Sequence, residues 1–84
     1  DVGGLVKIEG HTDNVPVGFS SRYRSNWDLS SARSAAVADY IIASTNLEPG
    51  NVSVAGFADS KPITSNDTSE GRARNRRIEV IVDG

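Results

Sequence analysis

Arg33, Arg76 and Asp13 are the residues whose types and predicted positions could carry chemistry in this sequence. At about 100° per residue, a helix beginning near Trp27 places Arg33 in the middle of an apolar stripe. Arg76 alternates with the apolar residues of a C-terminal strand, which directs its side chain toward the predicted core. Since a guanidinium keeps its charge in proteins, each inward arginine needs an anionic partner. That partner is either a carboxylate of the protein or a ligand.

One carboxylate beside two guanidinium groups leaves an excess of positive charge, which suits a ligand that carries both charges. A ligand carboxylate could bind the arginines while Asp13 binds a ligand ammonium, so the head group of a free amino acid fits. Asn26 precedes Arg33 by seven residues and lies on the same helical face, which adds a polar group to the candidate site. A structural alternative is equally open: Asp13 and Arg33 form an internal ion pair, and Arg76 extends to solvent at the end of its strand.

Alternating and helical apolar patterns define the elements that must position these residues. A capping-box pattern predicts Ser25 as the N-cap of the first helix, with Asp28 at its third position, and a second box predicts Asp67 as the N-cap of a short helix. The apolar stripe of the first helix comprises Leu29, Ala32, Ala36, Val37, Tyr40 and Ile41. The predicted elements are a strand over 5–9, a helix over 27–44, a strand over 52–57, a short helix over 67–75 and a strand over 76–82. This order predicts a single sheet with helices packed on one face.

The composition restricts the function classes. The chain is one small domain, residues 1–84, with a net charge of −2, no cysteine, and no apolar run of the roughly 20 residues that cross a bilayer. His11, the only histidine, is expected to form a hydrogen bond in the loop after the first strand rather than to catalyse a reaction, because no thiol or activated serine accompanies it. One histidine among scattered carboxylates predicts no metal site and no cofactor.

The arginine-rich segment 72–77 is interpreted as a helix end that leads into a strand. A nucleic-acid surface is disfavoured because the domain is acidic and has only one Trp, two Tyr and two Phe.

Four blocks of sequence occur in a characteristic order and resemble the OmpA-like peptidoglycan-binding domain over nearly the whole chain, from about Val6 to Val82. They are GHTDN at 10–14, NWDLSSAR at 26–33, GFAD and KP within 56–62, and GRARNRRIEV at 71–80. The long loop before Asn26 and the second block are more similar to the flagellar stator B subunits (MotB and PomB type) than to porins or Pal lipoproteins. The resemblance implies a non-catalytic module that binds the cell wall. It also implies an α+β fold, the OmpA-like βαβαβ sandwich, with one mixed sheet and helices packed on one face.

The resemblance also implies a ligand and the residues that bind it. The ligand of that family is the diaminopimelate residue of the peptidoglycan stem peptide, whose D-centre carries a free ammonium and a free carboxylate. By position, Asp13 would bind the ammonium and Arg33 the carboxylate, with Asn26 and Arg76 helping to hold the same head group. Three further residues are expected to form the pocket wall: Thr12, Leu29 and Phe57.

Family domains have a further strand and a long helix before the position of Asp1, so the resemblance implies a piece of a larger membrane protein that lacks these two elements. The expected parent is a homodimeric stator B subunit, which makes this the periplasmic domain of an inner-membrane protein. Its expected partners are the stator A subunit and flagellar basal-body components. One alternative places the same module in an outer-membrane porin or Pal-like lipoprotein. Another is a structural or protein-interaction domain in which Asp13 and Arg33 pair internally.

Overall fold

The computed structural model describes residues 5–83, which form three strands and two α-helices. In chain order the elements are β1 Leu5–His11, α1 Asn26–Ser44, a 3-10 turn Pro49–Asn51, β2 Val52–Gly56, α2 Ser69–Asn75 and β3 Arg77–Asp83. The α+β fold predicted from the sequence is confirmed. The differences lie at the ends of elements: β1 runs two residues past Glu9, and Arg76 is the C-cap of α2 rather than the first residue of β3.

The three strands form one mixed sheet in the order β2-β1-β3. The central strand β1 is parallel to β2, with Val6 opposite Val52, and antiparallel to β3, with His11 opposite Arg77. Because β3 runs antiparallel, it begins beside the point where β1 ends. This topology brings the residues after His11 next to Arg76.

The two helices begin at side-chain caps. The Ser25 hydroxyl accepts a hydrogen bond from the Asp28 N–H (3.2 Å), which confirms the predicted start of α1. For α2 the predicted cap at Asp67 is wrong by one residue, because the Thr68 hydroxyl accepts from the Gly71 N–H (3.0 Å). Within residues 5–83, neither helix combines the length and the apolar character needed to cross a membrane.

The face of α1 that packs on the sheet differs from the predicted apolar stripe. The buried residues of the helix are Ser30, Ser34 and Ala38, while Arg33 and Tyr40 are exposed. The inward direction predicted for Arg33 is therefore wrong. The apolar core around this face consists of Val6, Ile8 and Ala38, against which Val37, Ile41, Leu47, Val52 and Ile78 pack.

Small residues allow α1 to approach the sheet closely, which explains why serines occupy its buried face. A Cβ atom on Gly10 would collide with the carbonyl oxygen of Ser30 and with Ser34 Oγ, and one on Gly56 would collide with Ser31. The hydroxyl of Ser34 lies within hydrogen-bond distance of Ser30 O (3.1 Å) and Ala55 O (2.9 Å), so its burial leaves no unpaired polar group. Hydrophobicity alone cannot identify such a polar contact face.

We expect Gly10→Ala to lower the free energy of unfolding by about 1–3 kcal/mol, because the added methyl group forces α1 away from the sheet. Gly50→Ala is the matched control, since its Cβ would meet no atom within 4 Å. Urea unfolding of both variants would measure the difference. Equal stabilities of the two variants would contradict the close packing of α1 on β1.

Candidate functional site

An ion pair between Asp13 and Arg76 forms the centre of the candidate site. Arg76 Nη1 donates to Asp13 Oδ2 at 2.7 Å. The Asp13 side chain is 10% exposed and that of Arg76 is 47% exposed, so the pair lies at the protein surface with its carboxylate mostly covered. The internal pair between Asp13 and Arg33, one of the alternatives from the sequence, is absent among the ion pairs of residues 5–83.

The turn after β1 holds the Asp13 carboxylate in place. The Thr12 N–H donates to Ala58 O (2.8 Å), and the buried Thr12 hydroxyl donates to Asp13 O (2.7 Å). The Val15 N–H donates to Asp13 Oδ1 (3.0 Å), which closes a local Asx turn. One carboxylate oxygen therefore bonds to the main chain and the other to Arg76. A carboxylate offers about four acceptor positions in all, so Asp13 can accept further donors.

Asn26 ties the N-terminus of α1 to the same turn. Its Nδ2 donates to Val15 O (3.1 Å) and more weakly to Asp13 O (3.4 Å). The structure thus places Asn26 beside Asp13, as the sequence predicted. Leu29 lies half-buried in the first turn of the helix.

Arg33 lies on the same face of α1 as Asn26 but makes no contact with the ion pair. Seven residues correspond to about 10 Å along a helix, and helical side chains lean toward the N-terminus, here toward Asn26. The Arg33 guanidinium has no hydrogen bond or ion pair with residues 5–83. Arg33 is therefore an exposed cation on the helical face that also carries Asn26.

The asparagine that ends α2 fixes the position of Arg76. Asn75 is fully buried, and its Oδ1 accepts from the N–H groups of Ile63 (2.9 Å) and Thr64 (3.2 Å). Its Nδ2 donates to Thr64 O (3.0 Å) and Asn66 Oδ1 (2.8 Å). These four hydrogen bonds hold Asn75 in place, and Arg76, the next residue, is thereby positioned at the end of β1.

Two surface depressions adjoin the loop after β1. A depression of about 380 Å³ includes Asn26, Trp27 and Asp59 in its wall, next to the Asp13 turn. A larger and more open one of about 630 Å³ lies within the loop 17–24 and contains none of the predicted site residues. Of the predicted site residues, Asn26 alone lies in the wall of the smaller depression, so the candidate site is defined by the polar groups around the Asp13–Arg76 ion pair and not by either depression.

Phe57 does not line this depression. Its ring stacks on His11 with centroids 5.4 Å apart and an angle of 14° between the planes. Lys61 Nζ lies 4.1 Å from the centroid of the same ring. These contacts place Phe57 on the sheet face opposite α1, and the predicted role of Phe57 as a pocket wall gains no support from them.

Sequence reasoning missed a second polar cluster, on the sheet face opposite α1. His11 is 3% exposed, and neither ring nitrogen has a hydrogen-bond partner among residues 5–83, so the hydrogen bond expected for it in the loop is wrong. Burial, followed by the nearby Arg77 guanidinium, lowers the pKa of His11 below its ordinary value of 6.5. A hydrogen bond from Arg77 lowers the pKa of Glu79, whose Oε2 lies 3.9 Å from His11 Nε2. Glu79 is far from His11 in sequence, so only the strand register could have revealed the cluster.

The arginines of segment 72–77 mostly bond within the domain. Arg72 Nη1 donates to Asn66 O (2.9 Å), and Arg77 donates to Asn75 O (3.2 Å) and Lys61 O (3.0 Å). Together with the pairing of Arg76, these contacts agree with the interpretation of this segment as a helix end that leads into a strand.

Comparisons with known proteins agree in sequence and in fold. The profile of the OmpA family matches residues 3–76. The chain is 41% identical over 75 residues to Motility protein B of Bacillus subtilis, which covers 89% of this chain and 28% of that protein. It is 38% identical over 78 residues to the peptidoglycan-binding protein ArfA of Mycobacterium bovis, covering 93% of this chain and 22% of ArfA. Its fold is similar to that of the cell wall anchor of the T6SS from Pseudomonas aeruginosa, with a TM-score of 0.85, 43% identity, and coverage of 96% of this chain and 55% of that one.

The two arginines should differ in their effect on stability. We expect Arg33→Ala to change the free energy of unfolding by less than about 0.5 kcal/mol, as for an exposed residue without partners. Arg76→Ala should lower it by about 1–3 kcal/mol, because the covered Asp13 carboxylate loses its charged donor. The half-exposed position of Arg76 favours the lower end of that range. Urea unfolding monitored by the single tryptophan measures both values, and a larger loss in Arg33→Ala would contradict the assigned pairing.

Proposed function

The chain belongs to the OmpA family, and from that premise we propose that it binds peptidoglycan through the diaminopimelate of the stem peptide. The domain is a non-enzymatic binding module. The observation that carries the proposal is the surface ion pair of Asp13 and Arg76, with the exposed cation Arg33 on the face of α1 that also carries Asn26. The resemblance of the chain to a peptidoglycan-binding protein and to a cell wall anchor supports the same function.

The head group of diaminopimelate matches the charges of the site. Its D-centre carries an ammonium and a carboxylate on one carbon. The ammonium would donate to the Asp13 carboxylate, which retains free acceptor positions beside its bonds to Val15 and Arg76. Since Asp13 is only 10% exposed on its side chain, a bond to it is partly shielded from water and gains strength.

The carboxylate of the ligand would bind the two arginines. Arg76 uses Nη1 for Asp13, and the other N–H groups of its guanidinium make no hydrogen bond with residues 5–83, so they remain available for a second carboxylate. Arg33 would supply a further guanidinium from α1. Each arginine then contributes a charge-assisted hydrogen bond, while Asn26 holds the turn that carries Asp13.

The parent protein is a further part of the proposal. The chain spans 28% of Motility protein B and 22% of ArfA. The activity of a longer parent protein is therefore part of the proposal. We infer a periplasmic domain that anchors an inner-membrane stator B subunit to the wall. Such a subunit would act as a homodimer with a stator A subunit and basal-body components. The similarity to a wall anchor of a secretion system supports the wall-binding role in a different parent as well.

A titration of the domain with a diaminopimelate muropeptide, followed by NMR, tests the binding site. We expect shift changes at Asp13, Asn26, Arg33 and Arg76. Arg33→Ala should lower the affinity at least tenfold while leaving stability unchanged, because its guanidinium bonds only in the complex. Arg74→Ala is the charge-matched control, since Arg74 is also exposed and lies on the neighbouring helix α2.

A lysine muropeptide provides the matched control ligand, because lysine is diaminopimelate without the second carboxylate. We expect it to bind at least tenfold more weakly, since the arginines lose their anion. Equal affinities for the two muropeptides would exclude the proposed role of Arg33 and Arg76. Absence of co-sedimentation with intact sacculi, where many sites act together, would falsify wall binding itself.

A further inference from the structure

Three potential metal ligands converge on the sheet face opposite α1. Glu9 and His11 project from β1 and Glu79 projects from β3, so the group joins two neighbouring strands. One donor atom from each residue lies within 4.8 Å of the other two. The cluster is separate from the proposed wall-binding site, because none of its members contacts Asp13 or Arg76 through a described hydrogen bond or ion pair.

The buried histidine of the cluster lacks the partners that such a side chain normally has. His11 is 3% exposed, and neither Nδ1 nor Nε2 forms a hydrogen bond with residues 5–83. Its Nε2 lies 3.9 Å from Glu79 Oε2, which is too long for a hydrogen bond. Two ligands on one zinc ion lie about 3–4 Å apart, because each bond is about 2 Å long. The spacing therefore suits an ion between the two atoms.

The strand register places two carboxylates against each other at the same site. Glu9 is directly opposite Glu79 in the antiparallel pairing of β1 and β3. Like charges in this position destabilise a sheet unless a cation lies between them. A bound divalent cation would satisfy both the carboxylates and the unpartnered imidazole.

We propose that Glu9, His11 and Glu79 bind a divalent first-row transition metal, with Zn²⁺ as the representative ion. One nitrogen and two carboxylate oxygens form a donor set that zinc accepts, and water would complete the tetrahedron. Magnesium and calcium fit poorly, because both prefer a larger shell made of oxygen atoms. The cation would link β1 to β3 two residues before Asp13.

The cations near the cluster leave room for the metal. Arg77 Nε donates to Glu79 Oε2, but the Arg77 guanidinium also bonds to two main-chain carbonyl oxygens, which hold it independently of Glu79. Lys61 Nζ lies over the Phe57 ring rather than on a carboxylate. Glu79 Oε2 keeps a second lone pair beside its bond from Arg77, so the oxygen that lies 3.9 Å from His11 Nε2 can still bind the ion.

Calorimetric titration of the metal-free protein with ZnCl₂ tests the proposal, and NMR of the single histidine ring locates the ion. We expect one site with a micromolar Kd, a shift of the His11 ring signals, and no response to MgCl₂. His11→Gln and Glu79→Gln should each raise the Kd at least tenfold. Glu48→Gln is the matched control, because Glu48 is an exposed carboxylate outside the cluster.

Two results would overturn the assignment. The first is no heat and no shift of the His11 ring at millimolar ZnCl₂. The second is zinc binding that Glu79→Gln leaves unchanged, which would mean adventitious binding to surface carboxylates. Circular dichroism checks that each variant is folded, and the ring signals of the unmodified protein decide the question even where His11→Gln fails to fold.

Discussion

The close approach of α1 to the sheet is the constraint on which the rest of the structure depends. Gly10 and Gly56 have no Cβ, so the backbone of the helix lies directly against β1 and β2. Serine hydroxyls fill the narrow gap and bond to the main chain, as Ser30 Oγ does when it accepts from the Ala58 N–H (3.1 Å). With the helix fixed at this depth, its first residue, Asn26, can reach the turn after β1. The packing of small residues thus determines the position of polar groups at the site.

Ala58 links α1 to the turn after β1. It is buried and has a φ of 52°, a left-handed conformation that is uncommon for a residue with a side chain. Its N–H bonds to Ser30 and its carbonyl accepts from Thr12, so the strained residue is held from both the helix and the turn after β1. The turn that carries Asp13 is therefore rigid before any ligand arrives. Rigidity of this kind would reduce the entropy lost on binding the proposed ligand, which matters for a head group as small as one amino acid.

The sequence predicted those features that follow from local pattern. Strands and helices were predictable because alternation and capping residues act over a few positions, and Asn26 lay beside Asp13 as expected. The buried face of α1 was not predictable from hydrophobicity, because serines of the helix pack against glycines of the sheet there. The apolar stripe therefore predicted an inward side chain for Arg33, whereas the structure shows an exposed one. The pairing of Asp13 with Arg76 depends on the antiparallel register of β3. The same register brings Glu79 to His11, which no local pattern indicates.

The central position of β1 explains how one short strand can serve both proposed sites. His11 and Asp13 are two residues apart, yet His11 faces the open side of the sheet while Asp13 belongs to the turn at the strand end. A force applied through a ligand on Asp13 would pass into β1, which ends two residues earlier at His11. Hydrogen bonds to β2 on one edge and β3 on the other would share that load, and the Arg76 contact would pass part of it to the end of α2. A cation between His11 and Glu79 would add a crosslink between β1 and β3 at the point where the load enters. The proposed wall anchor would benefit from this arrangement, because β1, which leads into the Asp13 turn, is paired along both of its edges.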